Sequence, residues 1–63
     1  MRIIFTDIRH EELGMVTFDG EKLTANNELA QSMIDSYPNM EPSAWFEKFS
    51  SWSSGYLWSE RID

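Results

Sequence analysis

The first stretch of the chain alternates its side chains with the period of a β-strand. Residues 2–8 are rich in β-branched and aromatic residues, and Ile4 falls on the opposite face from Ile3. This pattern predicts a first strand over residues 2–8. The polar residues 9–14, which end in Gly14, predict a connection instead.

A short apolar run on either side of Asp19 and Gly20 predicts a β-hairpin. Residues 15–18 have the composition of one strand, and residues 21–24 follow as its partner. An Asp-Gly pair between two such runs favours a type I′ turn, which needs positive φ at both central residues. We therefore expect a two-residue turn at Asp19 and Gly20.

Two later segments show the periodicity of amphipathic helices. The first begins after residues 25–27, where an Asn side chain can accept from the free amides of the first turn, and runs to about Tyr37, before Pro38. The second spans residues 42–51, with Pro42 at its first position. The apolar stripes are Leu29, Ala30, Met33, Ile34 and Tyr37 on the first helix, and Trp45, Phe46, Phe49 and Trp52 on the second.

A last strand is predicted over residues 56–62, after a Ser-Ser-Gly segment that interrupts the helical pattern. We expect Tyr56 and Trp58 to point into the core and Glu60 to lie at the sheet edge. The order of elements predicts one small α+β domain over residues 1–63. Its antiparallel sheet combines the N-terminal strands and their hairpin with the C-terminal strand, and two helices cover one face.

The composition provides no covalent cross-link to stabilise this core. The chain has 63 residues, 41% of them hydrophobic, and no cysteine, which excludes disulfides and a thiolate metal site. Chains of this length reach only about 3 to 5 kcal/mol of stability from their core alone. Dense aromatic packing, oligomerisation or attachment to a larger assembly would have to add to it.

The charge balance changes the range of partners. Eleven acidic and five basic residues give a formal net charge of −6. Because nucleic-acid affinity rests on Lys and Arg at phosphates, direct binding to nucleic acid is not expected. The carboxylates form no run longer than two, which is typical of an ordinary solvated surface. The alternative is an acidic decoy for the basic site of a nucleic-acid enzyme, and it requires carboxylates that cluster in space.

No export or membrane segment is predicted. The longest apolar run, at residues 3–5, is far shorter than the roughly 20 residues of a spanning helix. Charged residues interrupt the region where a signal peptide would be apolar. We expect no membrane partner.

Candidate catalytic and metal-binding groups are few. His10 precedes Glu11 and Glu12, but this predicted polar connection supplies no third orienting group, so an uncommitted histidine is favoured over an acid-base pair. One histidine and no cysteine exclude a structural zinc site within one chain. The serines near Trp52 lack a nucleophile-elbow motif. We expect no enzyme activity, no metal and no cofactor.

The aromatic segment is the strongest indication of a function. All three tryptophans lie within residues 45–58, together with other aromatic residues. Aromatic side chains dominate both core packing and binding hot spots. The helical register places Trp45 and Phe49 in the core. Three residues are the partner-binding candidates, with core packing as their alternative: Trp52, Tyr56 and Trp58.

The chain also resembles a group of small proteins of unassigned function from actinobacterial phages. The resemblance lies in residues 16–26, which contain Val-Thr-Phe-Asp-Gly, and in residues 30–31, 34–36 and 55–57. It implies a phage-encoded product, either a small component docked on the particle or an early protein that binds a host factor. The corresponding location is the virion or the host cytoplasm.

Two classes of function follow from the sequence. The first is a non-enzymatic structural or protein-interaction module that binds a protein partner or forms a homo-oligomer, such as a virion component. The second is an acidic inhibitor of a host protein. Carboxylates clustered on one face would favour the inhibitor, whereas repeated copies in a large particle would favour the structural module.

Overall fold

The sheet has five antiparallel strands, and both helices pack against it, which confirms the predicted α+β class. The computed structural model describes residues 1–63. The strands lie in the order β3-β2-β1-β5-β4, so the first and last strands of the chain pair in the middle of the sheet. The strands are Arg2–Thr6 (β1), Glu12–Phe18 (β2), Leu23–Ala25 (β3), Ser51–Ser54 (β4) and Leu57–Arg61 (β5), and the helices are Glu28–Asp35 (α1) and Pro42–Phe49 (α2).

The connection between β1 and β2 is shorter than the sequence pattern predicts. The Asp7 carboxylate accepts hydrogen bonds from the amides of Arg9 and Glu11, at 2.8 and 3.1 Å. This side chain turns the chain within a few residues, so β2 already begins at Glu12. The register shifts by one residue beside Phe5, which forms a β-bulge and hides the alternation in the sequence.

The hairpin between β2 and β3 is confirmed, but the two-residue type I′ turn is wrong. Phe18 pairs with Leu23, which leaves a four-residue loop. The Asp19 carboxylate accepts from the amides of Glu21 and Lys22, at 2.8 and 2.9 Å. Only Gly20 in this loop has a positive φ, of 100°, whereas a type I′ turn also requires one at Asp19. The Asp side chain therefore sets the loop by capping amides.

Both helices form where the sequence predicts them, and both are shorter. Asn27 caps α1, and its side-chain oxygen accepts from the Ala30 amide at 2.9 Å. The Trp45 indole on α2 donates to the Met33 carbonyl on α1 at 3.1 Å, which ties the two helices together. α2 ends at Phe49 because the following residues enter a strand. Neither helix is long and apolar enough to cross a membrane.

The core lies between the helices and one face of the sheet. Eight side chains are buried there: Ile3, Phe5, Val16, Phe18, Ala30, Trp45, Phe46 and Phe49. Phe49 is its centre, since its ring lies 4.6 Å from that of Trp45 and 4.8 Å from that of Trp52. The predicted core positions of Trp45 and Phe49 are confirmed.

The C-terminal hairpin differs most from the prediction. Ser51–Ser54 forms an edge strand, and Gly55 and Tyr56 make a two-residue turn before β5. Gly55 has φ +61°, as the first central residue of a type II′ turn requires. Because Ser59 pairs with the buried Phe5, it lies on the helix-covered face, and Trp58 lies on the opposite one. The expectation that Tyr56 and Trp58 point into the core is therefore wrong.

Candidate partner-binding groove

One face of the sheet is left without a helix, and we call it the open face. Directly paired residues share a face, so the strand register assigns its members. They are Arg2, Ile4, Thr6, Glu12, Met15, Thr17, Thr24, Ser51, Ser53, Trp58 and Glu60. Three of them are apolar and half-buried, namely Ile4, Met15 and Trp58. Most of the others carry hydroxyl groups, so this face is far more polar than the opposite one.

A shallow groove of about 390 Å³ lies on the open face next to the β4 edge. We call it the Trp58 groove. Its lining consists of hydroxyl groups, one carboxylate, one histidine and two tryptophans. The lining residues are Thr6, His10, Ser51, Trp52, Ser53, Trp58, Ser59 and Glu60. The β4 side chains on this face are the small Ser51 and Ser53, so the groove is open toward the edge of the sheet. Such a surface combines hydrogen-bond acceptors with one aromatic platform.

The Trp58 ring is held by a stacked histidine. The rings of His10 and Trp58 are 6.1 Å apart and inclined by only 16°. His10 has φ 64°, a left-handed conformation that is uncommon outside glycine, and its backbone places the imidazole over β5. The sequence predicts a His10 side chain without a specific partner. In the structure its ring stacks on Trp58, and its side chain forms no hydrogen bond with Glu11 or Glu12.

The three predicted partner-binding residues lie in different environments. Tyr56 is 77% exposed at the tip of the β4–β5 hairpin. Trp58 is half-buried in the groove on the open face. Trp52 also lines the groove, but it lies on the helix-covered side of β4 and its ring contacts Phe49. Only Tyr56 and Trp58 are thus placed away from the core.

Sequence reasoning missed most of the groove. Thr6, His10, Ser51, Ser53 and Glu60 had no assigned site role. For Ser51 and Ser53 the reason is that a serine-rich segment without apolar alternation does not resemble a strand. Gly55 was the available signal, since Gly at the first position of a two-residue turn is typical of a hairpin. Strands extended on both sides of it would have brought Ser53 opposite Trp58.

Charge is unevenly placed on the open face. Glu12 pairs with Thr6, and Trp58 pairs with Thr6 from the other side. Glu60 lies two residues from Trp58, so two carboxylates flank the groove. The only cation among the strand residues of this face is Arg2, which lies four residues along β1 from Thr6, the partner of Trp58, and two residues from Ile4, the partner of Glu60. The groove end of the open face therefore favours a positively charged group.

The carboxylates with shifted pKa values lie elsewhere. A hydrogen bond from Arg61 lowers the pKa of Asp63 to about 2, and the amide of Arg2 adds to the effect. Amide hydrogen bonds from Lys22 and Glu21 lower the pKa of Asp19. No three His, Asp or Glu side chains come together in a geometry that could hold a metal ion. Every buried side-chain polar atom has a hydrogen-bond partner.

A second groove, of about 560 Å³, lies between the β2–β3 loop and the connection from α1 to α2. Its lining is more apolar and includes Leu23, Ile34, Tyr37 and Met40. Lys48 lies 5.3 Å from the Tyr37 ring centre, so a cation of the chain itself occupies one side of that ring.

Comparison with known proteins found no match to this chain among family models, curated proteins or solved structures.

Proposed function

We propose that this protein is a non-enzymatic binding module whose partner is a positively charged protein. The observation that carries the proposal is the division of the aromatic residues between two places. Trp45, Phe46 and Phe49 fill the core, whereas Tyr56 is exposed at the tip of the β4–β5 hairpin and Trp58 lies on the open face of the sheet. A protein of 63 residues that keeps a tyrosine 77% exposed beside a half-buried tryptophan presents side chains that are typical of binding hot spots.

The net charge of −6 favours a partner surface of positive charge. Two carboxylates, Glu12 and Glu60, flank the groove that contains Trp58. The resemblance to small phage proteins offers two settings for such a contact, docking on a particle or binding of a host factor. Both settings use the same surface.

The acidic-decoy alternative receives less support. It requires carboxylates concentrated on one face, but they are distributed over both sides of the molecule. Glu28, Asp35, Glu41 and Glu47 lie in or beside the helices, whereas Glu12 and Glu60 are on the open face. A single extended anionic surface is therefore not formed.

A photo-cross-linking amino acid at Tyr56 tests the proposal in cells that produce the protein naturally. The expected result is a covalent adduct with one partner protein, because this side chain is exposed at the tip of the hairpin that carries Trp58. The matched position is Glu47, which is exposed on α2 on the other side of the sheet. Adducts that form only from Glu47, or from neither position, would refute the proposal.

A further inference from the structure

We propose that the partner contributes an extended segment with alternating basic and apolar residues, which adds to the sheet as a sixth strand beside β4 and places its basic side chains in the Trp58 groove. This inference rests on the proposed function and specifies the chemistry of the partner. It combines three independent features of the structure: a free strand edge, small side chains beside that edge, and an anionic aromatic groove behind them.

The first feature is the unpaired edge of β4. Antiparallel pairs alternate between hydrogen-bonded and non-hydrogen-bonded residues. The Arg61 amide donates to the Ser50 carbonyl at 3.0 Å, so Ser51 and Ser53 are the non-hydrogen-bonded positions. Their amides and carbonyls point away from β5, to the outside of the sheet. The strand has no Pro and no charged residue, the usual guards of an open edge.

The second feature is the route from that edge to the groove. A strand added beside β4 would lie about 4.8 Å from it and would place alternate side chains on the open face. Only the serines at positions 51 and 53 stand between those side chains and β5. A long side chain beside Ser53 would reach Trp58, and one beside Ser51 would reach Glu60.

The third feature is the chemistry at the end of this route. A guanidinium or ammonium group is attracted to an indole face, to carboxylates and to hydroxyl oxygens. The groove offers all three, through Trp58, Glu60 and its serine and threonine hydroxyls. On the helix-covered face, the residue between two such cations would meet the half-buried Trp52. The matching segment therefore alternates basic with apolar residues.

Charge also decides between such a partner and a second copy of this chain. Pairing two β4 edges would bring together two molecules with a net charge of −6 each, and both would place Glu60 near the shared edge. Like charges at this spacing oppose association. A basic segment instead gains from the same charges.

A blocked seven-residue peptide that alternates valine with arginine is the probe. Titrated into the isotope-labelled protein, it should shift the amide signals of Ser51 and Ser53 and the indole N–H signal of Trp58, in a saturable and salt-sensitive way. A peptide with citrulline in place of arginine should bind more weakly, and one with glutamate should not bind. No binding of the arginine peptide, or equal binding of the glutamate peptide, would overturn the inference.

Two pairs of variants locate the contact. Ser53→Pro removes an outward amide without removing a hydrogen bond of the β4–β5 ladder, so it should abolish binding, whereas Ser53→Thr should keep it. Glu60→Gln should weaken binding about three- to fivefold, and Glu47→Gln on α2 should leave it unchanged. Unchanged binding by Ser53→Pro would overturn the added strand, provided circular dichroism shows that the variant is folded.

Two further results separate this inference from the proposed function. Sedimentation that shows a dimer without peptide, lost in Ser53→Pro, would assign the edge to a second copy and overturn the inference. A partner captured at Tyr56 that fails to shift the Ser51 and Ser53 amides would also overturn it and leave the proposed function in place. If the peptide binds but Tyr56 captures no protein in cells, the peptide chemistry inferred for the β4 edge is supported and the proposed function is refuted.

Discussion

At the scale of single residues, the aromatic side chains divide sharply by burial. Phe49 is fully buried and contacts four other aromatic rings, those of Phe5, Tyr37, Trp45 and Trp52. Trp58 keeps part of its ring in the groove and stacks on one exposed residue, His10. Residues of the same type in adjacent segments thus have different roles, and the difference is testable by truncation.

Phe49→Ala is expected to unfold the protein. Truncation of a buried Phe costs about 3 to 5 kcal/mol, which is about the whole stability of a domain this small. Trp58→Ala should stay folded, because part of its ring is already in contact with water and no core residue packs on it in the groove. Far-ultraviolet circular dichroism with urea titration measures both. A folded Phe49→Ala variant, or an unfolded Trp58→Ala variant, would contradict this division.

At the scale of elements, β2 and α1 fit closely together where the helix begins. Asn27 caps the helix and also donates from its amide group to the Leu13 carbonyl at 2.7 Å. Gly14 lies directly under this side chain, since a Cβ there would be 2.8 Å from the Asn27 oxygen and 3.2 Å from the Ala30 Cβ. The absence of a side chain at Gly14 lets the helix start close to the sheet.

Gly14→Ala should therefore destabilise the protein by about 1 to 3 kcal/mol, the usual cost of overpacking. The reason is steric, so the cost should fall in an Asn27→Ala background, where the closest atom is gone. A double-mutant cycle from urea unfolding measures this coupling. Strictly additive costs would show that Gly14 is required for another reason.

The elements also show what sequence patterns can and cannot predict. Both helices and the β2–β3 hairpin were predictable, because apolar periodicity, an Asn cap, Pro42 and Gly20 each act locally. The edge strand β4 was not, because its serines have no apolar pattern. The sheet face predicted for Trp58 was wrong for the same reason. Because β4 and the Gly55 turn were not recognised, no neighbouring strand determined the register of β5.

The candidate site follows this pattern. Its tryptophan could be selected from composition and position, but its other members could not. His10 and Glu60 lie fifty residues apart in sequence, and the pairing of β1 with β5 brings them to one groove. Such a contact depends on the order of strands, which local sequence does not determine.

At the scale of the whole molecule, the two ends of the chain are tied together. The Ile62 amide donates to the Arg2 carbonyl at 3.1 Å, and the Arg2 amide donates to the Asp63 carboxylate at 3.4 Å. Arg61 holds that carboxylate through two hydrogen bonds, of 2.8 and 3.1 Å. The Arg61 guanidinium also lies 5.6 Å from the Phe46 ring centre, which connects the tail to the core.

This contact predicts a pH dependence of stability. The pKa of Asp63 is lowered to about 2 in the folded protein, from an ordinary 3.8, by its hydrogen bond with Arg61. A lowered carboxyl pKa stabilises the fold above pH 3.8, and the contribution is lost as the pH falls through 2. The protein should therefore be more stable than Asp63→Asn at pH 7, and the difference should vanish at the lowest pH.

Urea unfolding of the two proteins between pH 7 and pH 1.5 measures this difference. Comparison with Asp63→Asn removes the contribution of Asp19, whose pKa is also lowered, because both proteins retain it. Glu47→Gln provides a control for the loss of one negative charge elsewhere on the surface. A stability difference that is the same at every pH would show that the Asp63 carboxylate does not act through its charge.

The pairing of the first and last strands also determines how the fold responds to mechanical force. Because β1 and β5 are antiparallel, Ile3 lies opposite Arg61 and the two chain ends leave the sheet on the same side. Tension between the ends acts along the hydrogen bonds, one pair at a time, instead of shearing the whole ladder together. The β1–β5 pairs are therefore expected to open one after another from the chain ends, so the fold should yield at a lower force than one in which the same ladder is sheared.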